Sequence, residues 1–313
     1  MIRGLRPTDL LAYIVFRKRV GRSNEAILRP DGRTSPLSIR SFIGRSLSLE
    51  PGREAWIEIG EGEIRGLAAT RARWGAPIWD VDQLLALPSS HTDSTYVNLL
   101  QHVCNSAART SVHKVFLRLD RNSEALAAGR QAGFYHYTTE HVFRLSGVSP
   151  DAASAELTLR PRRRADQQAL FQLYCSSVPA SVRQVEGMTL QEWRSADGWR
   201  PQPVGWQGGI HAGRQDLVCA NGSAVLAAVR TDRSARVLSI LLHPELQSKA
   251  DALIEATLLA WPAGGELYIA ARDYQTGLLS ALERCGAHVA SHALLARVTT
   301  VRVVERTLMP LRA

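Results

Sequence analysis

The sequence predicts an α/β (α+β) fold in two tandem copies, and three observations carry that expectation. The chain has 313 residues. At about 150 residues per domain this length holds two domains, each large enough for its own core. The stretch Phe116–Leu145 reads as strand, helix, strand, and the design recurs without gaps at Ile269–Val298. Asp120 is answered by Asp273, Gly133 by Gly286 and Arg144 by Arg297. An earlier anchor, Leu5-Arg6-Pro7, is echoed by Leu159-Arg160-Pro161. Two anchors at almost the same spacing mark an internal repeat, with domains expected at 1–150 and 151–313.

The elements follow in order. Gly4–Pro7 is a short edge segment, and Thr8 caps a helix with Leu11, Ile14 and Val15 on one side. Gly21–Gly32 is a polar loop. Ser35-Pro36 starts a second helix, with serine at the N-cap and proline at N1, and Pro51-Gly52 ends that region. Three strands come next: Ala55–Ile59, Ile64–Arg71 after a turn at Gly60-Glu61-Gly62, and Ile78–Leu87. Tyr96–Ala107 is a helix with Leu99, Leu100 and Val103 inward. His113–Leu119 is a strand. Leu126 and Ala127 lie in a short helix that Gly133 stops, and Phe134–Leu145 returns extended.

Asp151–Ala155 is a small-residue joint. Glu156–Arg160 restarts the pattern, and Asp166–Val178 is an amphipathic helix. Pro179–Gln215 is long and irregular, with a capping box at Thr189-x-x-Glu192 and Gly, Pro and Trp beyond it. A loop of that length is more often functional or disordered than neutral. Asn221-Gly222 turns a hairpin between Asp216–Cys219 and Ser223–Arg230. Val237–Leu242 is a buried strand. His243-Pro244 leads into a helix reaching Trp261, Glu266–Ala271 is the next strand, and Val298–Arg306 supplies a last one.

The first half therefore orders strand, two helices, a three-strand meander, helix, strand, helix, strand. With Asn122-x-x-Ala125 followed by Gly133-Phe134, the chain resembles the GNAT (Gcn5-related N-acetyltransferase) family, whose fourth helix carries N-x-x-A…G-F. The resemblance covers most of the chain as two copies. It implies two mixed, mostly antiparallel twisted sheets flanked by helices, meeting across the joint.

It also implies an acyl-CoA-dependent N-acetyltransferase using acetyl-CoA or another acyl-CoA. In that family a Q/R-x-x-G-x-G/A loop cradles the pyrophosphate with backbone N–H groups at a helix N-terminus. The pantetheine arm lies in a gap between the fourth and fifth strands. The second copy has Gln247-x-x-Ala250-x-Ala252 at the loop, enclosing Ser248 and Lys249, with the amides of Leu241 and Leu242 expected along the thioester arm. An ordinary helix start explains the same residues. The first copy has His91, Ser94 and Tyr96 there, and a tyrosine at a glycine position crowds a phosphate. The family's leaving-group tyrosine falls on Gly129 and Leu282, so it is missing from both copies. Candidate bases are Asp80 and Asp82 on the strand where the family often places its carboxylate, and His243 beside the second loop. Solvated acids and a capping histidine are the plainer readings. Trp193, Trp199 and Trp206 are expected to bound the acceptor site, or else to patch the core edge.

Composition is that of an ordinary globular chain, with a net charge of +9 carried almost wholly by arginine. The excess attracts anions in general, and Arg160-x-Arg162-Arg163-Arg164 is most simply a solvated face. Four cysteines form no CxxC pair and read as buried thiols. His136 and His141 lack partners at zinc spacing, so no metal is expected. No apolar run approaches a membrane span, and a cytoplasmic location is the expectation. The expected partner is a small-molecule or protein amine acceptor, with no membrane and no nucleic acid, and a homodimer is allowed for. The rival function is a GNAT-fold pseudoenzyme acting as a ligand- or protein-binding module. An RNA- or ribosome-associated module is a third reading, prompted by charge.

Overall fold

In the computed structural model the meander of the first half is set by turn chemistry. The structure describes all residues except 22–23, 28–36, 74–75, 90, 147–156, 188, 197–213, 233–235, 261–265 and 300–313. The first half runs β1 (Ile2–Gly4), α1 (Leu10–Val20), α2 (Ile39–Ser46), β2 (Arg53–Gly60), β3 (Glu63–Ala72) and β4 (Ile78–Ala86). It continues with α3 (Thr92–Arg109), β5 (Lys114–Asp120), α4 (Ala125–Gln131) and β6 (Tyr135–Ser146). The second half runs β7 (Arg160–Pro161), α5 (Gln167–Ser177), α6 (Ala180–Glu186), α7 (Leu190–Ala196), β8 (Arg214–Asn221) and β9 (Ala224–Asp232). It closes with β10 (Val237–Leu242), α8 (Ala250–Leu259), β11 (Glu266–Arg272), α9 (Thr276–Cys285) and β12 (Ala287–Val298). Glu61 and Gly62 both take positive φ, 55° and 81°, the pair of left-handed residues that a tight hairpin needs.

Gly133 has φ 82° and ends α4 as a left-handed cap. Its repeat partner Gly286 is extended, with φ −134°. There a Cβ would lie 2.8 Å from Leu145, so the matched glycines serve different ends, a turn and a close approach.

Several expectations shift. Two helices, α6 and α7, form in the stretch expected to be irregular from Pro179, and α1 buries Tyr13, Phe16 and Val20 while Leu11 and Val15 stay exposed. The helix expected from Ser35-Pro36, which lie outside the described residues, begins at Ile39. Ser38 caps it by accepting from the Ser41 N–H at 3.1 Å. Leu37 is left outside because its carbonyl accepts from the buried Tyr13 hydroxyl at 2.6 Å. The repeat is also displaced at its start. Arg3 forks onto Asp9 at 2.7 and 2.6 Å, and Arg160 onto Asp166 at 2.8 and 2.8 Å. Each aspartate also accepts a backbone N–H, from Arg6 and Arg163 respectively. Arg6 therefore corresponds to Arg163, and the Leu-Arg-Pro echo is three residues out of structural register.

The strands of the described residues join one 12-stranded sheet in the order β1-β2-β3-β4-β5-β12-β6-β11-β10-β9-β8-β7; the last strand expected over Val298–Arg306 lies, beyond residue 299, outside the described residues. The last strands are exchanged. β12 pairs antiparallel with β5, Leu295 opposite Leu117, and β6 pairs antiparallel with β11, Phe143 opposite Ile269. β6 and β12 pair with each other at the centre. The expected boundary between residues 150 and 151 falls outside the described residues.

Alternation of side chains across the sheet places α3 and α4 on the same face as α8 and α9. Leu117, Leu119 and Leu295 pack with the first pair, and Phe143, Leu145 and Ile269 with the second. The opposite face carries α1 and α2 over Ile57, Leu67 and Leu85, and α5 to α7 over Val218, Val225 and Ala228. The end of α6 reaches over the first half, where Val185 packs on Ile78, Phe116 and Ala296. The Lys114 ammonium donates to the α6 carbonyls of Gln184 and Val185 at 3.3 and 2.9 Å, a cation at a helix C-terminus. Among the described residues no helix is long and apolar enough to cross a membrane.

Candidate active site

Each half contains a parallel strand pair that parts. β4 and β5 pair from Ile78↔Lys114 to Asp80↔Phe116, and β10 and β11 from Val237↔Tyr268 to Ser239↔Ala270. Beyond those points the strands diverge. These are the gaps in which the resemblance places a pantetheine arm, and the chain treats them differently.

In the first half the gap is occupied by the chain itself. The Glu25 N–H donates to the Leu84 carbonyl at 3.0 Å and the Ile27 N–H to the Arg118 carbonyl at 2.8 Å. Ala26 bridges Leu119. The Asn24 side chain donates to the Asp82 carbonyl at 3.3 Å and accepts from the Leu84 N–H at 2.8 Å. The Ser123 hydroxyl donates to Glu25. One short segment thus satisfies backbone groups on both walls, as a strand would. Asn24, Ala26 and Ile27 are buried. This gap does not fit a cofactor arm. Tyr96, at the glycine position of the loop, is buried in the α3 core. Burial, reinforced by Glu25, raises its hydroxyl pKa above the ordinary range.

In the second half, among the described residues, one side chain crosses the gap at its base. Gln275 donates to the Ile240 carbonyl at 2.8 Å and accepts from the Arg272 N–H at 2.9 Å. A trans peptide points its N–H and C=O in opposite directions. With the Ile240 carbonyl facing β11, the Leu241 N–H faces β9. The Leu242 N–H faces the gap. Of the two amides expected along the thioester arm, geometry gives that direction to Leu242.

The loop after β10 is wound as a 3-10 turn, Pro244–Lys249, running straight into α8. Such a turn directs N–H groups back to the carbonyls three residues earlier. Gln247 accepts from the Gly277 N–H at 2.8 Å, and a Cβ on Gly277 would strike it at 2.3 Å. Ser248 and Lys249 are exposed, Ala250 is buried and Ala252 is half-buried. His243 caps the turn, its Nδ1 accepting from the Glu245 N–H at 3.3 Å. Leu282, where the family puts its tyrosine, is fully buried. The loop residues therefore fit a phosphate only through exposed Ser248 and Lys249 at the start of α8.

The candidate carboxylates of the first half are held by arginines. Asp82 is the extra residue of a bulge in β4 opposite Ala69 and Thr70. It pairs with Arg45 at 2.6 Å, with side-chain exposures of 6% and 2%. Asp80 takes a fork from Arg73 at 2.6 to 3.1 Å. Burial opposes ionisation of Asp80, but the Arg73 charge prevails and holds its pKa below the usual range. Trp193 is 2% exposed and packs against Phe171 and Tyr174, ring centroids 5.6 and 5.7 Å away, so its ring belongs to the core. The Thr189–Glu192 capping box before it forms, at 3.1 and 3.2 Å. Trp199 and Trp206 lie outside the described residues.

Sequence reasoning missed a polar cluster at the centre of the α1/α2/α5–α7 face. Glu140 of β6 is 4% exposed in its side chain and lies among Arg118 at 3.3 Å, Arg272 at 3.6 Å and His292 at 3.4 Å. Burial pushes the Glu140 carboxyl up, but the two guanidiniums overcome it and bring the pKa down to about 2. Glu186, the last residue of α6, accepts from the Tyr137 hydroxyl at 3.1 Å and faces Arg272 at 3.6 Å. Burial first, then Glu186, raises the Tyr137 hydroxyl pKa. No motif marks these residues, because strand exchange brings them together from across the chain.

No family model matches the chain, and no curated protein matches it. Solved structures do. A tandem GNAT protein from the clavulanic acid biosynthesis pathway matches with a TM-score of 0.52 at 13% identity, covering 95% of this chain and 98% of its own. A GCN5-related N-acetyltransferase from Sphaerobacter thermophilus matches with a TM-score of 0.57 at 14% identity, covering 95% of both chains. At such identities the likeness is one of fold: two GNAT copies in tandem.

Proposed function

We propose that this tandem GNAT-fold chain is a single-site acyl-CoA-dependent N-acyltransferase. The C-terminal copy would hold the cofactor, and the N-terminal copy would serve as scaffold. The observation that carries the reading is the asymmetry of the two gaps. Residues 24–27 close the first from wall to wall, whereas among the described residues the second is crossed at its base by Gln275. Leu242 offers its N–H to the second gap, and Ser248 and Lys249 stand exposed beside it at the start of α8, where the helix dipole favours an anion. When bound, an acyl-CoA supplies the activated acyl group. The chain's part is to align the thioester arm along β10 and to receive the amine on the α5–α7 face. Of the three candidate bases only His243 adjoins this gap. Its Nδ1 is engaged in the cap, so its other ring nitrogen would serve. Asp80 and Asp82 lie by the closed gap, locked to arginine.

One group of observations favours a second reading, a binding protein without turnover. The Gln247 side chain is tied to Gly277, the loop is wound as a helical turn, and a buried leucine stands at the tyrosine position. Calorimetric titration of acetyl-CoA into wild type, Ser248→Asp and Ser94→Asp separates the readings. Both substitutions are at exposed residues, one at each copy's loop. We expect one site per chain, weakened about tenfold or more by the charge at Ser248 and unaffected at Ser94. Binding with no acetyl transfer to any amine tested supports the pseudoenzyme. No binding by wild type removes the transferase.

A further inference from the structure

The polar cluster around Glu140 is not explained by stability alone. The Arg73–Asp80 fork closes at 2.6 Å, the distance of a strong charge-assisted bond. The neighbouring charges do not close in this way. Arg118 stands 3.3 Å and Arg272 3.6 Å from Glu140, and Arg272 stands 3.6 Å from Glu186. Arg118 donates to Glu140 at the long end of hydrogen bonding, 3.4 Å, and Arg272 meets both carboxylates only at ion-pair range. The Arg272 Nη1 is buried and has no hydrogen-bond partner, a vacancy that burial makes costly. Yet Arg118, Arg272 and Glu186 keep side-chain exposures of 20%, 22% and 23%, so solvent reaches one side of the cluster, and that side is taken as the recess. Its floor is Tyr137 and Phe116, rings in edge contact at 6.0 Å.

The position is also specific. The Arg272 backbone N–H is the one that Gln275 uses to cross the second gap, so the recess begins where β10 and β11 part. Its members come from both copies: Arg118 from the first, Arg272 and Glu186 from the second, and Glu140 from an exchanged strand.

We infer that this recess binds a small zwitterion carrying a carboxylate and an amine, such as an amino acid, with Arg272 anchoring the carboxylate and Glu186 the amine. A ligand carboxylate at the partly exposed Arg272 guanidinium brings the acceptor that its Nη1 lacks, and an ammonium at Glu186 takes the carboxylate oxygen other than the one that accepts from Tyr137 and faces Arg272. A ligand bearing both charges leaves the cluster balanced, whereas a simple anion or amine would not. Read as the acyl-acceptor site, the recess rests on the transferase proposal; as a binding site it stands without it.

The test is a thermal-shift screen of the full chain with millimolar common amino acids, their decarboxylated amines and their deaminated acids, followed by calorimetry on any hit. We expect at least one amino acid to raise the unfolding midpoint while its amine and its acid alone do not. Affinity should fall about tenfold or more in Arg272→Gln and in Glu186→Gln. Glu186→Gln keeps an acceptor for the Tyr137 hydroxyl and lies at a helix end, so it decides the matter should Arg272→Gln fail to fold. No shift with any amino acid overturns the inference, as does unchanged binding in Glu186→Gln. Acetyl-CoA is titrated into the same preparation. Amino-acid binding without acetyl-CoA binding keeps the recess and discards the transferase, and the reverse result keeps the transferase and discards the recess.

Discussion

A single buried pair shows how far a motif can mislead. Asp82 looks like a catalytic carboxylate in sequence, but the Arg45 guanidinium takes both of its oxygens, at 3.3 and 2.6 Å. Removing one member of such a pair strands the other in the core, at about 3–5 kcal/mol. Asp82→Ala and Arg45→Ala are each expected to destabilise by that order. The double variant should lose much less than their sum, read from a denaturant double-mutant cycle. Additive losses would mean the two side chains act apart. Acid exposes a second group of residues. Asp166 is held down to about 2, first by the Arg160 fork, and Glu140 to about 2 by Arg118 and Arg272 against its burial. Folded values below the unfolded ones give stability that is present above about pH 4 and lost as pH falls through about 2. Unfolding midpoints between pH 5 and pH 2 should drop, and Asp166→Asn should flatten part of that slope while leaving the remainder to Glu140, Asp80 and Asp9.

At the scale of elements, packing rests on a few close approaches. Gly66 of β3 is one. A Cβ there would lie 2.5 Å from Thr95 and 2.9 Å from both the Leu85 carbonyl and Leu99, so α3 rests on bare backbone. Gly66→Val is expected to cost about 1–3 kcal/mol through overpacking, read as a lowered denaturant midpoint, and a neutral result would show that α3 can lift freely. The segment 24–27 is another such element. Asn24→Ala removes one donor and one acceptor used by β4. It should destabilise by about 1–3 kcal/mol and speed amide exchange at Leu84 before other β4 amides. Uniform exchange along β4 would argue that the segment adds nothing to the sheet.

At the scale of the whole molecule, strand exchange makes one folding unit from two copies. The β5 edge is covered by β12 and the β11 edge by β6, so either half alone presents long unpaired edges. A fragment of residues 1–146 is therefore expected to associate or remain unfolded, whereas the full chain unfolds in a single transition seen alike by far-UV dichroism and tryptophan fluorescence. Sedimentation of a stable, native-like monomeric fragment would contradict this picture of one shared core.

Much of this was legible in the sequence because it is local. The hairpins at Glu61-Gly62 and Asn221-Gly222, the left-handed Gly133 and the Thr189–Glu192 box each depend on a few adjacent residues and their backbone preferences. The apolar spacing of Leu99, Leu100 and Val103 fixed the buried side of α3 in the same way. The tandem order, and with it the GNAT resemblance, followed from those local signals repeated. What decided the sites was contact between residues far apart in the chain. Only packing could make Ser38 a cap, bring residues 24–27 into the first gap, seat Trp193 in a core, or pair Asp82 with Arg45. The Glu140 recess draws on two copies and an exchanged strand, so its charges share no spacing that a sequence could display. Secondary structure is set by neighbours along the chain, whereas burial and charge pairing are set by neighbours in space.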